Sequence, residues 1–280
     1  MSEIAAASWV LGDSLADTFR LLHDLGVTLM ELSTGAEPPN PDLRDPAQVE
    51  QVAALGAQFG VGFHAVHTEF RFNWNLASPD PETRRFAGAA NEMVIRAAAQ
   101  LGARHVVLHP GQELAEGEPA SDQLQRSLES LCRLGPVAGE AGVLLAVENL
   151  PPGYVGSSLS DMEELLGALD PTVFGFCCDT GHAAVSGEGP AAFVRAFAPR
   201  LLGIHLHDNG GQDDHLFPGL GNIDWAEFFA ALREIGYTLP ITVEALPPPD
   251  VPLAQAAALM RDCAATLRAP CCLPSRPPVA

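Results

Sequence analysis

Residues 173–182 read Val-Phe-Gly-Phe-Cys-Cys-Asp-Thr-Gly-His. An apolar run of strand length ends on Asp179, and His182 is expected to open the next loop through the flexible Gly181, so that both side chains can face one pocket. The same design recurs along the chain. Eight short apolar, often β-branched runs lie at residues 4–10, 27–32, 61–67, 105–109, 144–148, 173–178, 202–207 and 241–245. They alternate with segments of helical period, the pattern of repeated βα units around a parallel sheet. Seven helices are expected between the runs and an eighth after the last. Strongly polar residues interrupt the runs mainly at their carboxyl ends: His67, His109, Glu148, Asp179, His205 and Glu244. In a (β/α)8 TIM barrel those ends converge on one face, which makes neighbours of residues spread over roughly 180 positions.

The length of 280 residues suits one such α/β barrel without large additions. The expected division is a single barrel domain over residues 1–269 and a Pro-rich tail over 270–280. Local punctuation agrees. Asp13 or Ser14 can cap a helix whose apolar positions are Leu15, Phe19 and Leu22, with Gly26 closing it. Gly102 ends a long helical stretch that starts near Pro81, and Gly142 and Gly236 also stand between helix and strand. Two longer loops, 35–46 and 209–222, are rich in Gly, Pro, Asn and Asp, and loops of that length are often functional.

Hydrophobic residues make up 47% of the chain and charged residues 18%, enough apolar material for a large core and no signature of disorder. The formal net charge of −20, with only 15 Lys and Arg, repels phosphate backbones and offers no basic patch, so nucleic acid is not an expected partner. Residues 1–7 lack the pattern of a secretory signal, and no apolar stretch reaches the roughly 18 residues of a membrane span. A soluble, cytoplasmic protein is expected. Cys132, Cys177, Cys178, Cys263, Cys271 and Cys272 show no CxxC spacing and read as free structural thiols.

A carboxylate inside an apolar strand is costly to bury unpaired, and an acidic chain has few cations to spare, so a bound metal is the economical counter-ion for Glu148 and Glu244. His205 and His207 lie on one side of a strand by its period of two. Asp213 and His215 precede the flexible Pro-Gly-Leu-Gly at 218–221, which can fold them over the site. Carboxylates and imidazoles without thiolates suit Mn2+, Mg2+, Co2+ or Zn2+. Glu148, Asp179, His205 and Glu244 recur at equivalent places in successive units. For His67, His109, His182, Asp213 and His215, substrate binding, support of ligands and further metal ions all fit the spacing. His64, His105 and His207 read as hydrogen-bonded scaffold, and His23 as helix surface. Trp9, Phe70, Phe72 and Trp74 can wall a sugar site or belong to the core. Arg71 apart, few cations stand near the strand ends, which disfavours a phosphorylated substrate.

Several segments together resemble the xylose isomerase-like TIM-barrel superfamily. They are His67 with Asn75-Leu76-Ala77-Ser78, Val107-Leu108-His109-Pro110-Gly111, Val147-Glu148-Asn149, Cys178-Asp179-Thr180-Gly181-His182, Ile204-His205-Leu206-His207-Asp208-Asn209, Asp213 to His215 with Gly219 to Trp225, and Val243-Glu244. The superfamily contains sugar phosphate isomerases and epimerases, hydroxypyruvate isomerases, inosose dehydratases and AP endonuclease family 2, the endonuclease IV group. Its isomerase branch implies one catalytic divalent metal on Glu148, Asp179, His205 and Glu244, with His182 available to a small sugar or hydroxy-keto substrate. Glu148 and Glu244 would then exchange the substrate proton. The endonuclease IV branch implies three zincs on residues matching His67, His109, Glu148, Asp179, His182, His205, Asp213, His215 and Glu244, and all nine types are present. The acidic charge weighs against that branch. A barrel that binds sugar without turning it over is a third reading, against which Glu148 and Glu244 argue. A homo-oligomer is compatible with the composition.

Overall fold

The structure, a computed structural model, describes residues 3–10, 14–35, 40–71, 73–114 and 116–246. Each expected apolar run carries a strand: β1 Ile4–Ala7, β2 Leu29–Ser33, β3 Gly62–His67, β4 His105–Leu108, β5 Leu144–Glu148, β6 Phe174–Asp179, β7 Leu201–Leu206 and β8 Ile241–Val243. They pair in parallel in chain order, and β8 returns to β1 to close the barrel. The helices are α1 Leu15–Leu25, α2 Pro46–Phe59, α3 Pro81–Gln100, α4 Ala120–Ala141, α5 Leu159–Ala168, α6 Thr180–Val185, α7 Pro190–Ala196 and α8 Trp225–Glu234. No helix among the described residues is long and apolar enough to cross a membrane.

Helix ends follow their chemistry. Ser14 is the cap of α1, its Oγ accepting from Asp17 N at 3.2 Å, while Asp13 lies outside the described residues. Proline opens α2, α3 and α7, where its missing N–H costs nothing. Gly142 closes α4 in the left-handed conformation, φ 71°.

Several strand bounds shift by one or two residues, and three changes bear on the site. The run at 4–10 bends after Ala7 into a 3-10 turn, Ser8–Val10. There the Ser8 hydroxyl accepts from Ser33 N at 2.9 Å, and the Trp9 indole reaches Glu244. The β6–β7 connection holds two helices instead of one, because Gly187 turns left-handed at φ 85° between α6 and α7. Finally, β7 starts and ends one residue earlier than expected, so His207 follows the strand. The eighth helix after the last run, the tail at 270–280, and Cys263, Cys271 and Cys272 lie outside the described residues.

Alternation along the strands divides the core in two. Val106, Leu108, Val147, Phe176, Cys178, Ile204, Leu206 and Val243 join the large cluster that also holds Leu131, Leu134, Phe193 and Phe228 from the helices. Each such large side chain stabilises the fold by about 1.5–3 kcal/mol on burial. A separate cluster of Ala65, Val107, Ala146 and Cys177 fills the barrel interior. These residues are small, and the volume they leave takes the buried polar side chains Glu31, His64, His105 and His205. The period that turns Ala65, Val107, Ala146 and Cys177 inward also turns the residues two positions on: His67, His109, Glu148 and Asp179.

Candidate metal centre and active site

Glu148 ends β5, Asp179 ends β6, His205 lies in β7 and Glu244 follows β8, all buried. Their ligand atoms close on one point. His205 Nδ1 lies 3.0 Å from Glu148 Oε1, 2.9 Å from Glu244 Oε2 and 3.8 Å from Asp179 Oδ2. Three buried carboxylates around one imidazole carry excess negative charge at a large desolvation cost, and this set of oxygens and one nitrogen fits a divalent cation. Burial pushes the Glu244 carboxyl up, but the neighbouring His205 more than offsets this and holds it at about 2. Glu148 is likewise held well below the carboxylate range against burial, by His205 and His109.

Two further groups of ligand atoms flank the central one: His67, His109 and Glu148 on one side, and His182, His207, Asp213 and His215 on the other. Glu148 is shared, its Oε2 lying 3.1 Å from His67 Nε2 and 3.2 Å from His109 Nε2. Backbone carbonyls set the tautomers of three of these histidines. Nδ1 of His67 donates to Thr68 O at 2.7 Å, that of His182 to Asn149 O at 2.9 Å, and that of His215 to Glu244 O at 2.9 Å. A neutral ring held this way presents an Nε2 lone pair. From His67 it faces Glu148. From His182 and His215 it faces Asp213, at 3.4 and 3.3 Å. A lone pair against a carboxylate oxygen needs a proton or a metal ion between them. At His67 and His182 the metal-free protein supplies a proton. Burial lowers His67, but Glu148 overrides it and raises the group to about 9. Burial likewise lowers His182, but the Asp179 and Asp213 carboxylates raise it to about 10. His109 goes the other way, with burial holding it down.

Local folding fixes these positions. Asp179 caps α6, its Oδ1 accepting from His182 N at 2.7 Å, so His182 sits in the first helical turn rather than in the loop expected. The Asn149 side chain clamps the Asp179 backbone, donating to its carbonyl at 3.0 Å and accepting from its N–H at 2.8 Å. His207, expected as scaffold, turns Nε2 to both Asp179 oxygens at 2.8 and 2.9 Å. The loop carrying Asp213 and His215 is tied down by buried Asp208. Its carboxylate accepts from the N–H groups of Asn209, Gly219, Gly221 and Ile223 and from the Trp225 indole.

The nine expected site residues therefore come together, and seven of them, His67, His109, Glu148, His182, Asp213, His215 and Glu244, line a cavity of about 430 Å³ at the carboxyl ends of the strands. Asp179 and His205 lie just beneath it, fully buried. Of the two places open to them, Trp9 and Phe70 take the cavity wall, joined by Leu150, Pro151 and Tyr154 from the loop after β5, which has no periodicity to betray them. Trp74 does not belong to the wall. It packs on Phe86 under the Arg44 guanidinium, within the helical layer. Phe72 lies outside the described residues. Arg71 reaches the cavity while bonded to Glu69 at 3.0 Å. His64 and His105 are buried and meet edge to face, ring centroids 4.9 Å apart, and His23 is exposed on α1 against Phe59 O. Glu31, deep in the barrel beside His205, is the site residue that the sequence reading passes over.

Residues 19–263 match the xylose isomerase-like TIM barrel family, and the chain belongs to that family. It is 33% identical over 187 residues to the uncharacterized protein MJ1311 of Methanocaldococcus jannaschii, covering 64% of this chain and 63% of that protein, a little under two thirds of its length. It is 28% identical over 209 residues to a protein of Halorhodospira halophila named probable endonuclease 4, covering 68% of this chain and 69% of that protein. Among solved structures, a D-tagatose 3-epimerase-like protein superposes with a TM-score of 0.82 over 95% of this chain and 97% of that one. The identity there is 24%, so the likeness is one of fold.

Proposed function

We propose that the chain is a divalent-metal-dependent isomerase or epimerase acting on a small sugar or hydroxy-keto acid. The observation that carries this reading is the placement of Glu148 and Glu244. Both line the cavity, and each turns one oxygen to the shared ligand point at His205 Nδ1. A divalent ion held by Glu148, Asp179, His205 and Glu244 supplies Lewis acidity and a template for a carbonyl–hydroxyl pair. The chain's own groups do the rest. Glu148 and Glu244 approach from strands on different sides, so one can take a carbon-bound proton and the other return it. The Trp9 indole donates to Glu244 Oε1 at 2.6 Å and fixes that carboxylate, while His67 and His109 hold the far oxygen of Glu148. His182 and His215 stand ready to orient hydroxyls, and Trp9 and Phe70 offer apolar faces to the carbon chain. Among the described residues Arg71 is the one Lys or Arg on the cavity wall, and it is held by Glu69, which favours a substrate without a phosphate. The fold shared with the D-tagatose 3-epimerase-like protein supports the same reading.

A second reading, a three-zinc phosphodiesterase, is favoured by the three ligand groups and by the kinship with the protein named probable endonuclease 4. The net charge of −20 and the Glu113 and Asp213 carboxylates on the cavity wall oppose a DNA strand there. Metal content measured on protein purified without chelator, paired with two assays, separates the readings. Deuterium entering a carbon of a ketose from heavy water supports the isomerase. Salt-sensitive nicking of an abasic duplex by protein with three zincs supports the phosphodiesterase. Saturable sugar binding without exchange leaves a binding barrel, and failure to take up any divalent metal overturns both catalytic readings.

A further inference from the structure

Glu31 and His205 sit on β2 and β7, strands on different sides of the ring, yet their side chains meet inside it. Glu31 Oε1 lies 2.8 Å from His205 Nε2, and both residues are buried, Glu31 to 1% exposure and His205 to 0%. The contact is close but not aligned: the ring N–H does not point along the line between the atoms, and neither atom has another hydrogen-bond partner. Two fully buried polar atoms left in this state are costly, about 1–3 kcal/mol each, and here each is the other's remedy. The second oxygen of Glu31 is already anchored, accepting from the Thr242 hydroxyl at 3.1 Å. The other ring nitrogen of His205, Nδ1, is the atom on which Glu148, Asp179 and Glu244 converge. Three of the flanking histidines, His67, His182 and His215, are arranged the opposite way, with Nδ1 bonded to a backbone carbonyl and Nε2 turned to a carboxylate of the site.

We propose that Glu31 is a positioning residue for the metal: its carboxylate accepts from His205 Nε2–H, so that the ring presents Nδ1 as an unprotonated ligand to the central group. A small turn of the ring brings the N–H onto Oε1. The carboxylate then makes the imidazole a stronger donor than a backbone carbonyl would, which sets the central position apart from those of His67, His182 and His215. Thr242 keeps Glu31 from turning away.

This role rests on the metal reading of the central group, and the test separates the two. Zn2+ affinity by chelator competition and the visible absorption of the Co2+ form are measured for the wild type, Glu31→Gln and Glu31→Met, with the melting temperature of each metal-free protein alongside. Glu31→Gln keeps an acceptor without the charge and is expected to bind about tenfold more weakly, and Glu31→Met, with no acceptor, about 100-fold more weakly. The Co2+ band should shift in both. Wild-type affinity and an unchanged Co2+ spectrum in both variants would overturn the role while leaving the metal reading intact. A wild type that binds neither ion overturns both. If neither variant folds, the Zn2+-loaded wild type still decides: nitrogen-edited NMR should find the His205 proton on Nε2 in slow exchange, and a proton on Nδ1, or none retained on Nε2, overturns the proposal.

Discussion

Gly181 lies flat against the ring of His207, so close that a Cβ at position 181 would stand 2.0 Å from the His207 Cε1. Since His207 holds both oxygens of Asp179 and stacks on His215, centroids 3.9 Å apart and planes within 8°, this contact ties α6 to two of the three ligand groups. Gly181→Ala must push the imidazole aside. Overpacking of this kind costs about 1–3 kcal/mol, and the displaced ring takes Asp179 with it. The variant should melt lower in its metal-free form and bind Zn2+ at least about tenfold more weakly. Adding His207→Ala should restore part of the stability but not the affinity, and simple additivity of the two losses would show that the contact is not what constrains position 181.

Asp208 is a second hub, and its test is different because it touches no ligand group directly. Five N–H donors end on its two oxygens. In Asp208→Ala those donors lose their acceptor inside the protein, and a loss of about 3–5 kcal/mol is expected in urea unfolding. The loop at 209–222 should become the first site of proteolytic cleavage, and binding by the group that includes Asp213 and His215 should weaken. A variant whose loop resists protease as the wild type does would refute the anchoring role.

These hubs mark where the sequence could be read and where it could not. The strand ends were legible because a period of two is rigid: once Val107 and Ala146 face in, His109 and Glu148 must as well. By the same logic Glu31 interrupts the run at 27–32 as visibly as Glu148 interrupts 144–148. It is hidden because its partner lies on β7, a proximity that only ring closure creates. Phe70 and Trp74 look alike in sequence, four residues apart in a loop without periodicity. One opens on the cavity and the other packs under Arg44. The turn at Ser8–Val10 is also a tertiary effect, since its hydroxyl and indole are satisfied by β2 and by Glu244.

Trp9 offers an optical reading of the site. Its indole donates to Glu244 Oε1 and meets the His215 ring edge to face at 5.3 Å, whereas Trp74 and Trp225 are buried in the core. Binding of paramagnetic Co2+ or Mn2+ should quench indole emission saturably, with most of the quenching lost in Trp9→Phe. That variant also frees one oxygen of Glu244, so if Glu244 exchanges the proton as proposed, turnover number should fall by about tenfold with KM little changed, the pattern of a group that acts on that carboxylate rather than on substrate affinity. Equal quenching in Trp9→Phe would place the bound ion elsewhere.

Phe70 and Trp74 together test what the cavity wall is for. Phe70 is 45% exposed and stacks on His109 with centroids 4.7 Å apart and planes 22° from parallel. An aromatic left this open adds little to folding, so Phe70→Ala should melt within about a degree or two of the wild type. If the substrate is the small sugar proposed, this face is open to its carbon chain, and losing it should raise KM about 3–10-fold, the worth of a stacking contact, with turnover number unchanged. Trp74→Ala should behave in the opposite way. Its side chain is 6% exposed and packed between Phe86 and Arg44, so about 3–5 kcal/mol of stability should go, with KM unaffected in whatever fraction stays folded. If Phe70→Ala instead lowers stability and leaves KM alone, the ring belongs to the scaffold of His109, and the substrate wall must be sought at Trp9 and Tyr154.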